Sequence, residues 1–120
     1  MLTETNLKTF EIVVSIDPKN GLHFEPAPDV QAGRGDHIVW KSTEGDLVLF
    51  IAGQELDARF ARNSPFVKYL YCDGRQGGQG EAVIRPQVRA NADAGTYKYT
   101  LLLFANDGTK YEVDPRIVIR

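Results

Sequence analysis

The chain has one cysteine, one tryptophan, two histidines and a single methionine, which is its first residue. With Cys72 alone, no internal disulfide can form. Small secreted domains are usually stapled, so the missing bridge points to a reducing compartment, and a cytoplasmic location is the expectation. No stretch approaches the roughly 20 apolar residues of a membrane-spanning helix. The N-terminus MLTETNLKTF has neither the basic nor the apolar region of a signal peptide. No block of one charge sign is present either. Fourteen basic residues face sixteen acidic ones, for a formal charge of −2. Nucleic acid and anionic membranes are therefore not expected as partners. No helical period is sustained long enough for a βαβ unit, and there is no internal repeat or linker.

What is present is alternation. A chain of 120 residues has the size of one domain, here 1–120, and can bury a core without disulfides or metal. Phe10, Ile12, Val14 and Ile16 share one face of a first strand. Asn20-Gly21 marks a turn, Leu22–Phe24 a short strand, and Glu25-Pro26-Ala27-Pro28 closes it, because proline lacks a ladder donor. In AGRGDHIVWKS, two glycines and Asp36 make a turn before a strand with Ile38 and Trp40 on one side and His37, Val39 and Lys41 on the other. LVLFI at 47–51 is apolar on both faces, as a central strand is. Leu56 and Phe60, four residues apart, allow one short helix near 54–62, ended by Asn63-Ser64-Pro65. FVKYLYC, AVIRPQVRA, GTYKYTLLLF and TKYEVDPRIVIR read as further strands. Seven to nine short strands with turn signals every 8–12 residues predict an all-β sandwich or barrel.

Several residues invite chemistry. Cys72, His37 and His23 could combine in a non-standard metal site, although no close ligand pair supports one. GRQGGQG superficially resembles a phosphate loop, but the strand-like Glu81-Ala82-Val83-Ile84 follows it where a helix N-terminus is required. Glu44/Asp46, Glu55/Asp57 and Asp107/Asp114 offer too few oxygens in one loop for calcium. Leu102 and Phe104 lie opposite the Tyr97/Tyr99 face. They are core if another element covers them and an interface if none does.

The line FEPAPDVQAGRGDHIVW (24–40) resembles the cupredoxin segment in which an F-x-P stretch precedes a turn, G-D and a strand ending in an aromatic. GTYKYTLLLF is similar to that family's G-x-Y-x-Y lead-in, and RIVIR to its closing strand. The resemblance runs from about residue 10 to 120. It implies a Greek-key sandwich with Phe24, Ile38, Trp40, Tyr97, Tyr99, Ile117 and Ile119 in the core; an immunoglobulin-like sandwich is the alternative. It also implies a copper site of two imidazoles, a thiolate and an axial thioether. That chemistry does not carry over. Glu44-Gly45-Asp46 stands where one imidazole belongs, and TLLLFANDGTKYEV follows GTYKY without Cys, His or Met.

The expected function is a non-catalytic interaction or assembly module that needs no cofactor and binds a protein partner or a second copy of itself. Its candidate contacts are Arg75, Gln76 and Gln79 in the Gly-rich loop, Arg59 and Arg62 in segment 53–66, and Phe104 and Tyr111 in the final hairpin. Two alternatives remain open. One is a metal-handling or electron-transfer protein using Cys72 and His37. The other is a small-ligand or glycan-binding sandwich whose Tyr69, Tyr71 or Tyr111 would stack on the ligand.

Overall fold

The computed structural model describes residues 7–51, 65–66, 70–74 and 80–120. The 54–62 helix reading lies outside them, and no helix occurs among them. Ten strands are described: β1 Thr9–Asp17, β2 Gly21–Glu25, β3 Val30–Ala32, β4 His37–Ser42, β5 Gly45–Ile51, β6 Leu70–Gly74, β7 Ala82–Ile84, β8 Gly95–Ala105, β9 Lys110–Val113 and β10 Arg116–Ile119. They form two mixed sheets. The smaller runs β2-β1-β4-β7, and the larger runs β3-β10-β8-β5-β6 with β9 paired to β8. The pairs β1–β4 and β3–β10 are parallel, and the remaining ladders are antiparallel. This is the two-sheet sandwich that the cupredoxin resemblance implies.

The two inner faces follow from the period-2 alternation of side chains. Ile12 and Val14 of β1, Phe24 of β2 and Ile38 and Trp40 of β4 meet Leu47 and Leu49 of β5, Tyr97, Tyr99, Leu101 and Leu103 of β8, and Ile117 and Ile119 of β10 in one apolar cluster. All seven core residues implied by the resemblance are buried. At the centre, Trp40 packs edge-to-face on Tyr99 (centroids 5.1 Å apart, 61°) and on Phe66 (6.4 Å, 89°). Such pairs add to the area that they bury. The indole N–H donates to the Tyr99 hydroxyl at 3.2 Å, and that hydroxyl donates to the Pro28 carbonyl at 2.6 Å. Both polar handles of the core aromatics are thus satisfied, as buried N–H and O–H groups require.

The turn before β4 is held by Asp36, only 5% exposed. One carboxylate oxygen accepts from Gly33 N–H at 2.8 Å and the other from Lys8 N–H at 2.9 Å. The charge-assisted bonds tie the turn to the start of β1. Val88 N–H donates to the Asp36 carbonyl at 2.8 Å, which fixes the segment after β7 to the same turn.

Two departures from simple alternation have physical causes. Val39 points away from the core yet is 1% exposed. On the same face its cross-strand neighbour Glu11 reaches diagonally to Lys41 at 2.8 Å. The stretch TKYEVDPRIVIR is two strands, because Asp114-Pro115 breaks the ladder. β9 pairs with the second half of β8 and β10 with the first. Asp114 accepts from the Thr100 hydroxyl at 2.7 Å across that break.

Candidate functional site

The β4–β5 connection and the β8–β9 hairpin lie side by side, because Gly45 pairs with Ala105. This is the end where the cupredoxin resemblance implies copper ligands. Glu44 is half-buried there, and its carboxylate accepts the Ile16 N–H at 3.0 Å, finishing the backbone of β1. Its own N–H donates to Ser42 Oγ at 3.1 Å. Gly45 passes so close to β8 that a Cβ would run into the Phe104 carbonyl and come within 2.9 Å of Leu103 Cδ2.

The hairpin is equally closed. Ala105 N–H donates to the Thr109 carbonyl at 2.8 Å, and Gly108 N–H donates to the Ala105 carbonyl at 3.0 Å. Gly108 supplies the φ of +91° that the turn needs. The Asp107 carboxylate accepts from Thr109 N–H at 2.9 Å, and this bond holds it below the ordinary carboxylate range. The donors at this end are carboxylate oxygens engaged with backbone N–H groups, with no imidazole, thiolate or thioether among them. They do not fit a blue-copper centre. Among the described residues no group of three or more His, Cys, Asp or Glu side chains is placed to hold a metal ion.

The structure separates the two histidines. His23 is opposite Ser15 on one side of β1, and His37 is opposite Thr9 on the other. The six-residue offset alone is about 20 Å, so they cannot share a metal. His23 is exposed and bonds Glu25 at 3.2 Å, and His37 is half-buried at the start of β4. Cys72 and Tyr71 lie in β6. Arg59, Arg62, Tyr69, Arg75, Gln76 and Gln79 lie outside the described residues. Tyr111 is half-buried against the core, because its partner on β8 is the inward-facing Leu103. It is not an exposed stacking platform.

Of the two candidate contact residues among the described residues, Phe104 is the more exposed. It is 40% exposed on the outer face of the larger sheet. Leu102 beside it and Val48 across the β5–β8 ladder are half-buried on the same face. Lys110 pairs with Phe104, Glu112 pairs with Leu102, and Asp46 flanks Phe104 from β5. An apolar strip thus carries charges of both signs at its margin.

Sequence reasoning missed a groove on one side of the sandwich, about 310 Å³ in volume, between the edge strand β2 and the β9–β10 junction. Its walls come from residues some ninety positions apart, and no local motif signals them. Only the prolines at 26 and 28, read as closing the second strand, hint at where a sheet edge lies.

No family model matches the chain, and no curated protein matches it. Solved structures similar to it include two of amicyanin. A methionine-to-alanine mutant with Cu(I) is 16% identical with a TM-score of 0.44. A reduced Cu(I) proline-to-glycine mutant at pH 4 is 17% identical with a TM-score of 0.41. Both alignments cover 92% of this chain and 82% of amicyanin. A cryo-EM heme-copper terminal oxidase dimer is 12% identical with a TM-score of 0.42, covering 99% of this chain and 69% of that one. The fold assignment rests on the strand order and the core.

Proposed function

We propose that this copper-free, cupredoxin-like sandwich is a non-catalytic protein-interaction module whose contact face is the outer surface of the larger sheet. The observation that supports it is the exposed Phe104, flanked across the sheet by Asp46 and Lys110 and set beside the half-buried pair Leu102 and Val48, with Glu112 at their margin. Exposed aromatic anchors set in a charged rim are the usual currency of binding energy at protein interfaces. Among the described residues, four acids are engaged in the fold: Asp36, Glu44, Asp107 and Asp29 each accept a backbone N–H.

The test is capture of partners by the purified chain with two matched variants. Phe104→Ser removes the anchor. Val13→Ser removes a residue that is 43% exposed on the opposite sheet. Both positions are open enough that each variant should lie within about 1 kcal/mol of the parent in stability. The expected result is one partner, or self-association in size-exclusion mass measurement, that Phe104→Ser abolishes and Val13→Ser leaves intact. A chain that stays monomeric and retains no partner sensitive to position 104 overturns the proposal.

A further inference from the structure

The geometry points to a second binding site in the groove beside β2, built to add an extended, basic-flanked peptide strand to the edge of the smaller sheet. It extends the interaction reading to a different surface from Phe104, so each can fail without the other.

The first support is the direction of the β2 backbone. Ile16 N–H donates to Glu44, and Lys8 C=O accepts from His37 N–H, so the even-numbered residues of β1 turn their main-chain groups toward β4. Val14 and Ile16 therefore make non-hydrogen-bonded pairs with Phe24 and Leu22. The N–H and C=O groups of Leu22 and Phe24 consequently point to the other side of β2. Among the described residues no strand pairs on that side of β2, which ends the sheet.

The second support is what lies under that edge. The side chains of Leu22 and Phe24 form one wall of the groove, Val113 forms the facing wall, and Pro28 and Pro115 close it. A strand pairing with β2 would place every second side chain into this apolar slot, as β-augmentation does. Neither proline has an N–H to compete for that strand.

The third support is charge. Asp29 and Asp114 line the same groove. Asp29 accepts from Arg116 N–H at 2.9 Å and Asp114 from the Thr100 hydroxyl at 2.7 Å. Among the described residues neither has an ion-pair partner. The complementary occupant is an extended segment with an aliphatic anchor and Lys or Arg on either side. An acidic segment would meet two like charges.

The experiment is an NMR titration of the full chain with an acetylated, amidated RTVLTR peptide. ETVLTE and a backbone N-methylated RTVLTR serve as controls. Binding should shift the amides of Leu22, Phe24 and Val113 and slow hydrogen exchange at Leu22 and Phe24, while neither control peptide should do so. Asp29→Asn with Asp114→Asn keeps an acceptor oxygen at both positions, so the fold is retained, and should weaken RTVLTR binding roughly threefold to tenfold. Three outcomes overturn the assignment: no shifts at millimolar RTVLTR, equal binding of ETVLTE, or binding indifferent to the double variant. Shifts confined to Leu102 and Phe104 would also overturn the groove site while favouring the outer-face reading.

Discussion

Replacing Tyr99 with phenylalanine removes one oxygen from the centre of the sandwich and keeps the ring. That oxygen accepts from Trp40 Nε1–H and donates to the Pro28 carbonyl. The two losses are unequal. Pro28 is exposed, so its carbonyl can turn to water at little cost. Trp40 is fully buried, and its N–H is left without a partner. A buried, orphaned donor costs about 1–3 kcal/mol, and the indole sets the scale here. Urea unfolding followed by Trp40 fluorescence should show a lower midpoint with an unchanged slope, which marks a loss of stability without a change in compactness. A double-mutant cycle sharpens the test. In a Trp40→Phe background, followed by far-UV circular dichroism because the chain's one tryptophan is replaced, the donor is already gone, so Tyr99→Phe should cost distinctly less than it does in the parent. A single-mutant cost below about 0.3 kcal/mol, or strict additivity in the cycle, would refute the argument that the Trp40–Tyr99–Pro28 chain is a stabilising element.

Three further outcomes follow from the same packing. Gly45→Ala forces a methyl group against the Phe104 carbonyl and Leu103, and should cost about 1–3 kcal/mol in denaturant unfolding, as overpacking does. Asp36→Ala strands Lys8 N–H and Gly33 N–H and should cost about 2 kcal/mol or more, with early amide exchange at both positions. At alkaline pH, burial holds the Tyr99 phenol well above its ordinary value of 10.0 and raises Tyr97 in the same direction. The neutral phenols belong to the folded state, so their contribution is complete below about pH 10. It declines as pH rises further, because the unfolded chain ionises first. A stability profile that stays flat above pH 10, or a decline that Tyr99→Phe leaves untouched, contradicts this assignment.

The strands that were legible in the sequence are those whose faces differ in polarity. β1, β4, β5 and β8 alternate cleanly or are apolar throughout, and their register follows from which face meets the core. β3 was not legible: three residues between a proline-rich stretch and a glycine turn carry too little pattern, and its place comes from parallel pairing with β10, some eighty-seven residues away. Val39 was legible as lying opposite Ile38 and Trp40, and its burial on that other face needed the structure. The missing copper ligands could be read from residue types alone. The reason that end is closed could not, since Glu44 reaches a backbone amide 28 positions away. Phe104 was legible as a position on the outer face, and its exposure needed the structure. The groove was invisible because sequence order places β2 and the β9–β10 junction at opposite ends of the chain.

The interaction claim is tested most directly by a photo-crosslinking residue placed at position 104 of the full chain and irradiated in the native cell. The same residue at position 13 is the control. A discrete adduct from position 104, with none at position 13, is the predicted result. No adduct from position 104, or the same adduct from both positions, contradicts the account.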